Sequence, residues 1–158
     1  MNFGLALALT GAALATFLPG MGSAKGVGLV GKAASGVIAE DPSKFGQTLL
    51  LQALPATQGI YGLLIAFLVL LKVGMVGGDA AVELNLLNGI YILLSCLPIA
   101  VVGYFSAIHQ GGVAAAGVGV VAKRPGEVSK AMIYAAMVET YAVLALLVSF
   151  LMLNGVSL

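Results

Sequence analysis

EDPSK, residues 40–44, is the first polar stretch in a chain that is otherwise close to continuous hydrocarbon. Before it an apolar segment runs from Asn2 to Ala39, and after it a second runs from Phe45 to Val73. Two further breaks, GMVGGDAAVE at 74–83 and KRPGE at 123–127, mark off a third segment from Leu84 to Ala122 and a fourth from Val128 to Leu153. Each exceeds the roughly 20 residues with which a helix crosses the hydrocarbon of a bilayer. The sequence therefore predicts an all-α membrane protein of four transmembrane helices, the first and third long enough to project beyond the membrane. Composition agrees, with 61% hydrophobic and only 8% charged residues, too few charges to cover a soluble surface. A net charge of +1 argues against nucleic acid as a partner. Cys96 is the only cysteine, so it forms no internal disulfide and reads as a small apolar filler.

EDPSK and KRPGE are also the two ends of an internal alignment. Displaced by 83 residues, the chain matches itself without a gap: Ser23/Ser106, Gly28/Gly111, Val30/Val113, Gly36/Gly119, Pro42/Pro125, Ala53/Ala136, Thr57/Thr140, Leu63/Leu146 and Phe67/Phe150 are among the identities. The repeated unit is one helical hairpin, so the expected organisation is 1–78 and 79–158, two tandem duplicated hairpins. An offset of two crossings makes the repeats parallel, related by an axis along the membrane normal. Two mismatches stand out. Glu139 falls opposite Ala56, and Gln110 opposite Val27. At the Glu139/Ala56 position only the second hairpin holds a carboxylate.

Lys25, Lys32, Lys44, Lys123, Arg124 and Lys130 group with the first and third breaks, and only Lys72 with the second. The positive-inside rule then puts the loops near 40–44 and 123–127 in the cytoplasm and both termini outside. The stretch NFGLALALTGAALATFL lacks the basic residue that opens a secretory signal, and its apolar run continues, so it reads as retained helix.

Glu139 sits inside AMIYAAMVETYAVLALLVSFLML with no Lys or Arg within two helical turns. Counted from the turns, Gln58 is 16 residues after Pro42, Glu139 is 14 after Pro125 and Gln110 is 15 before Pro125. At about 1.5 Å per residue, all three reach one depth, roughly 21–24 Å from the turns. Leu54, Thr57, Gln58 and Tyr61 follow i, i+3, i+4, i+7 spacing and share one helix face. Pro55 lies in that face; lacking an N–H, it leaves the Leu51 carbonyl without its helical donor and loosens the turn. A nearby carbonyl such as that of Leu54 is then free to turn toward a ligand. The set is all oxygen with one negative charge, which suits a small hard cation. A monovalent ion neutralises it; a divalent one leaves charge in lipid. Na⁺ fits best, with H⁺ on Glu139 as the competing way to neutralise the group.

Glycines concentrate in the first and third helices. Pairs such as Gly22/Gly26 and the series Gly103/Ala107/Gly111 provide faces on which helix backbones approach closely, as crowded equivalent helices require. His109 is about 100° around its helix from Gln110 and reads as a packing or lumen-facing residue. Gln47, Thr48 and Gln52, nearer the turn, are expected to bond across helices.

The stretches GMGSAKGVG, LPATQGIYG, HQGGVAAAG and AAMVETYAVLALLVSF resemble the K subunit (the proteolipid of the rotor ring) of V-type sodium-translocating rotary ATPases over nearly the whole chain. The resemblance implies copies of the chain assembled in a membrane ring, most naturally in a bacterial plasma membrane. Such a ring meets a stator subunit that supplies an Arg, and central-stalk subunits at the cytoplasmic loops, while lipid surrounds it. It also implies Na⁺ ligands at the Leu54 carbonyl, Thr57, Gln58, Gln110 and Glu139, with Tyr61 bonding the carboxylate. No GxxxxGK[ST] phosphate loop is present, so the chain is not expected to be catalytic on its own. His109 is the visible departure from the family pattern. A small dimeric proton-coupled exchanger is the rival reading, disfavoured by the absence of Trp and a polar face built of amides.

Overall fold

The computed structural model describes residues 2–77 and 83–156. Its two longest helices begin on the same cap. Asn2 Oδ1 accepts from the Leu5 N–H at 2.9 Å, and Asn85 Oδ1, 83 positions on, accepts from the Asn88 N–H at 2.7 Å. Each satisfies one of the donors that a helix start leaves orphaned. The helices they open are α1, Phe3–Glu40, and α4, Leu86–Lys123, 38 residues each and so about 57 Å long.

The turns repeat as well. The Asp41 N–H closes on the Val37 carbonyl and the Arg124 N–H on that of Val120. Pro42 and Pro125 then start single 3-10 turns, Pro42–Lys44 and Pro125–Glu127, where a missing N–H does no harm. The Ser43 hydroxyl and then its N–H bond the Asp41 carboxylate and hold it below the usual carboxylate range. Beyond the turns lie α2, Phe45–Ala53, α3, Thr57–Lys72, and α5, Val128–Asn154. Four helical stretches are long and apolar enough to cross a membrane: Phe3–Glu40, Pro42–Lys72, Leu86–Lys123 and Pro125–Asn154. They match the four apolar runs to within three residues at each end, the largest differences being the 3-10 turns at Pro42 and Pro125 that precede α2 and α5. Gly74, at φ 74°, ends α3 in the left-handed region that favours glycine. The break at 74–83 runs into residues 78–82, so the hairpin boundary at 78/79 lies outside the described residues.

The helices form two layers. α1 and α4 pack against each other along their length, while α3 packs on α1 and α5 on α4. Lipid gives little hydrophobic drive for this association, which depends on close packing and interhelical hydrogen bonds. Gly22 faces the backbone of Tyr104, Gly26 the carbonyl of Ala107, and Gly111 the Cα of Gly26. A side chain at any of these would enter the neighbouring backbone. Gly103 instead receives the ring of Pro19. At the turn end Lys44 Nζ donates to the Ala122 carbonyl at 2.8 Å and Gln47 Nε2 to that of Pro125 at 3.2 Å, fastening the two turns side by side. The apolar core is in two parts, one around Ile65, Val69, Ile92 and Ile99, the other around Val30, Leu51, Val118 and Ala135. The polar residues described below lie between them.

Three expectations need correction. Lys25 does not mark the first loop: it stands 15 residues before the end of α1, some 22 Å along the helix, with Nζ donating to Tyr104 Oη at 2.8 Å. Thr48 bonds the carbonyls of Lys44 and Phe45 on its own side of the bundle rather than crossing to another helix. Gln52 lays its amide over Gly31 of α1 without a hydrogen bond among the described residues. Only Gln47 crosses.

Candidate functional site

Pro55 decides the local backbone at the middle of the second span. A 3-10 turn, Leu54–Ala56, separates α2 from α3, and the Thr57 N–H returns to the Leu54 carbonyl. The Thr57 hydroxyl joins it there at 3.0 Å. Pro55 has no N–H to give the Leu51 carbonyl, and the Leu54 carbonyl, expected to be free to turn toward a ligand, is instead engaged by both the N–H and the hydroxyl of Thr57. Thr140, the counterpart of Thr57, likewise bonds its own i−3 carbonyl, that of Met137, at 2.7 Å. Part of the role of Thr57 is therefore ordinary helix chemistry. What Thr57 adds is a second contact, its hydroxyl to Gln58 Oε1 at 3.3 Å.

From Gln58 a chain of hydrogen bonds crosses the bundle. Gln58 Nε2 donates to Gln110 Oε1 at 2.5 Å, and Gln110 Nε2 donates to Glu139 Oε2 at 3.1 Å. The other carboxylate oxygen, Oε1, accepts from Tyr61 Oη at 2.5 Å. Both glutamines are fully buried, and Glu139 is half-buried. Three spans, carried by α3, α4 and α5, therefore deliver their polar groups to one point, as their equal distances from the turns required. Leu54 and Thr57 enter this group through Gln58 rather than by direct contact with Glu139.

Ser106 belongs to the same group and was not among the expected residues. Its hydroxyl donates to the Val138 carbonyl at 3.1 Å and accepts from Gln58 Nε2 at 3.3 Å. The signal lay in the repeat, since the counterpart Ser23 also bonds a facing helix, accepting from the Gly59 N–H at 2.9 Å. A serine kept in both hairpins serves helix contacts in both. His109, next to Gln110 in sequence but about 100° around α4 from it, is exposed and takes no part in these hydrogen bonds.

Neither of the two salt bridges among the described residues involves Glu139, and no trio of His, Cys, Asp or Glu stands close enough to ligate a metal among them. The oxygen-bearing groups linked to the Glu139 carboxylate by hydrogen bonds are the side chains of Gln110, Gln58 and Thr57 and, through Thr57, the Leu54 carbonyl. Such a set suits a hard cation and gives nothing to a soft one. The carboxylate is also reachable from outside. A depression of about 360 Å³ on the outer face of α5, lined by Ala136, Glu139, Thr140, Val143 and Leu144, opens onto it.

Comparison with known proteins adds three findings. Residues 10–69 and 93–152 each match the ATP synthase C-subunit family, two matches displaced by the same 83 residues as the internal repeat. The chain is 47% identical over 151 residues to the V-type sodium ATPase subunit K of Enterococcus hirae, covering 96% of this chain and 92% of that protein. It is 41% identical over 152 residues to the A-type ATP synthase subunit K of Methanocaldococcus jannaschii, covering 96% of this chain and 64% of that longer protein.

Proposed function

The chain belongs to the ATP synthase C-subunit family, and from that premise we propose that each copy carries one Na⁺ at Glu139 and moves it past a stator as the rotor turns. Family membership makes the protein an integral membrane component of a rotary ATPase, assembled as a ring of copies. The choice of ion is supported by the buried Gln58–Gln110–Glu139 hydrogen-bonded chain, which brings two side-chain amides to a single carboxylate. It is supported also by similarity to a relative named as a sodium ATPase subunit.

The mechanism follows from charge. An ionised Glu139 facing lipid costs at least a few kcal/mol. With Na⁺ held by the Leu54 carbonyl, Thr57, Gln58, Gln110 and Glu139, the site is neutral and enters lipid freely. Gln58 and Gln110 turn amide oxygens toward the ion, and the Tyr61 hydroxyl keeps the carboxylate in place by its bond to Oε1. At the stator, an Arg of the stator protein takes the place of Na⁺ as counter-charge, approaching through the depression on α5. The ion leaves through an aqueous path, and rotation resumes only when the site is reloaded. One charge moved across 100 mV represents about 2.3 kcal/mol, so several ions pass for each ATP. ATP chemistry belongs to other subunits. The loops near 40–44 and 123–127 face the cytoplasm, where the central stalk docks, and both termini lie outside.

Labelling with a hydrophobic carbodiimide tests the ion. At a pH where protons are scarce, Na⁺ is expected to protect Glu139 from modification, and K⁺ to do so far less. Equal labelling with and without Na⁺ would assign the same ring to H⁺.

A further inference from the structure

A glutamine amide has one oxygen that accepts and one nitrogen with two protons to donate. It offers the oxygen to a cation only when the nitrogen points away and finds acceptors there. An N–H turned toward the ion repels it, and a buried N–H left unpaired is costly. Gln58 and Ser106 are both buried, so bulk water supplies no acceptor. What holds the nitrogen of Gln58 therefore decides where its oxygen points. Two acceptors stand at Nε2, Gln110 Oε1 at 2.5 Å and Ser106 Oγ at 3.3 Å. They are not equivalent. In the ion-loaded site proposed above the oxygen of Gln110 goes to Na⁺, whereas that of Ser106 stays with Gln58.

The Ser106 hydroxyl is itself aligned. Its single proton goes to the Val138 carbonyl at 3.1 Å, a group that can only accept, so Oγ is left to accept from Gln58. Val138 immediately precedes Glu139. A second run of hydrogen bonds thus leads from Gln58 on α3 through Ser106 on α4 to the backbone of α5. It lies beside the first, which passes through Gln110 to the carboxylate. The backbone next to Gln58 is braced as well, because Ser23 Oγ on α1 accepts from the Gly59 N–H at 2.9 Å.

We infer that Ser106 is a positioning residue of the ion site: its hydroxyl, aligned by the Val138 carbonyl, holds Nε2 of Gln58 so that Oε1 is the end presented to Na⁺. Oε1 already lies on the side of Thr57, from whose hydroxyl it accepts at 3.3 Å. The inference rests on the assignment of Na⁺ to Glu139 and adds what fixes one of the ligands. Without an ion, Gln110 Oε1 shares the nitrogen of Gln58. With an ion bound, Gln110 turns its oxygen away and Ser106 keeps hold of that nitrogen. The consequence is selective. A proton on Glu139 needs no oxygen from Gln58, so Ser106 favours the Na⁺-loaded site over the protonated one.

Two titrations of Glu139 labelling in the purified Ser106→Ala ring separate this role from a structural one. At a pH where protons are scarce, the Na⁺ concentration that halves carbodiimide labelling is expected to rise about 10-fold. Without Na⁺, the pH at which labelling is halved is expected to stay where it is in the unmodified ring. A Na⁺ requirement that does not change, in a ring of unaltered mass, overturns the inference. A pH midpoint displaced as far as the Na⁺ requirement also overturns it, because that marks a general loosening around Glu139. Ser106→Cys fills nearly the same space with a weak acceptor and carries the same expectations if Ser106→Ala does not assemble. An unmodified ring that Na⁺ never protects overturns the assignment of Na⁺ itself; protection there, with Ser106→Ala unmoved, overturns this inference alone.

Discussion

Tyr61 Oη lies 2.5 Å from Glu139 Oε1, joining α3 to α5 across 78 residues of sequence. The hydroxyl donates to the one intramembrane carboxylate, so Tyr61 positions Glu139 without supplying an oxygen to a bound ion. Tyr61→Phe keeps the ring packing and removes that donor. Hydrogen bonds to charged groups contribute roughly 1.5–3 kcal/mol, so Na⁺ affinity is expected to fall by about 10- to 100-fold with ring assembly unchanged. The concentration of Na⁺ that halves carbodiimide labelling measures it.

Glu139→Gln removes the charge and leaves a side chain of the same shape. The variant is expected to assemble as a ring of unaltered mass and to abolish Na⁺ transport driven by ATP. Size by mass spectrometry and isotope uptake into vesicles read the two halves of that outcome.

Proton and Na⁺ neutralise the same carboxylate, so they compete. Lowering pH is expected to raise the Na⁺ concentration needed for protection, and raising pH to lower it until the dependence levels off. A protection curve that does not move with pH would separate the Na⁺ site from Glu139.

Gly26 and Gly36 divide the glycines of α1 into two kinds. Gly26 meets the Ala107 carbonyl, whereas Gly36 has open space around it. Gly26→Val is expected to lower the temperature at which the ring dissociates, by an overpacking penalty of about 1–3 kcal/mol. Gly36→Ala is expected to change it little. Dissociation followed on detergent gels checks both.

Much of this architecture is legible in the sequence. Apolar runs are long and polar breaks short, so four spans could be counted, and Pro42 and Pro125 gave the duplication. Depth arithmetic brought Gln58, Gln110 and Glu139 together because straight helices convert residue count into height. Rotation about a helix is harder to read than height. The 3-10 turn at Leu54–Ala56 shifts the face that α3 presents, so Thr57 bonds its own backbone and reaches the site through Gln58. Ser106 was hidden because a serine in a helix usually bonds backward, and only its pairing with Ser23 distinguished it. Lys25 groups with the first break in sequence because charge in a membrane sequence suggests the end of a span. Its partner Tyr104 lies 79 residues away, and such contacts are not visible along the chain.

Equilibrium binding of radioactive Na⁺ to the purified ring is the most direct measurement of the central claim. The account predicts saturable binding of one Na⁺ for each copy of the chain, insensitive to excess K⁺ and abolished by Glu139→Gln. Absence of saturable binding in the unmodified ring, or binding that survives Glu139→Gln undiminished, would contradict it.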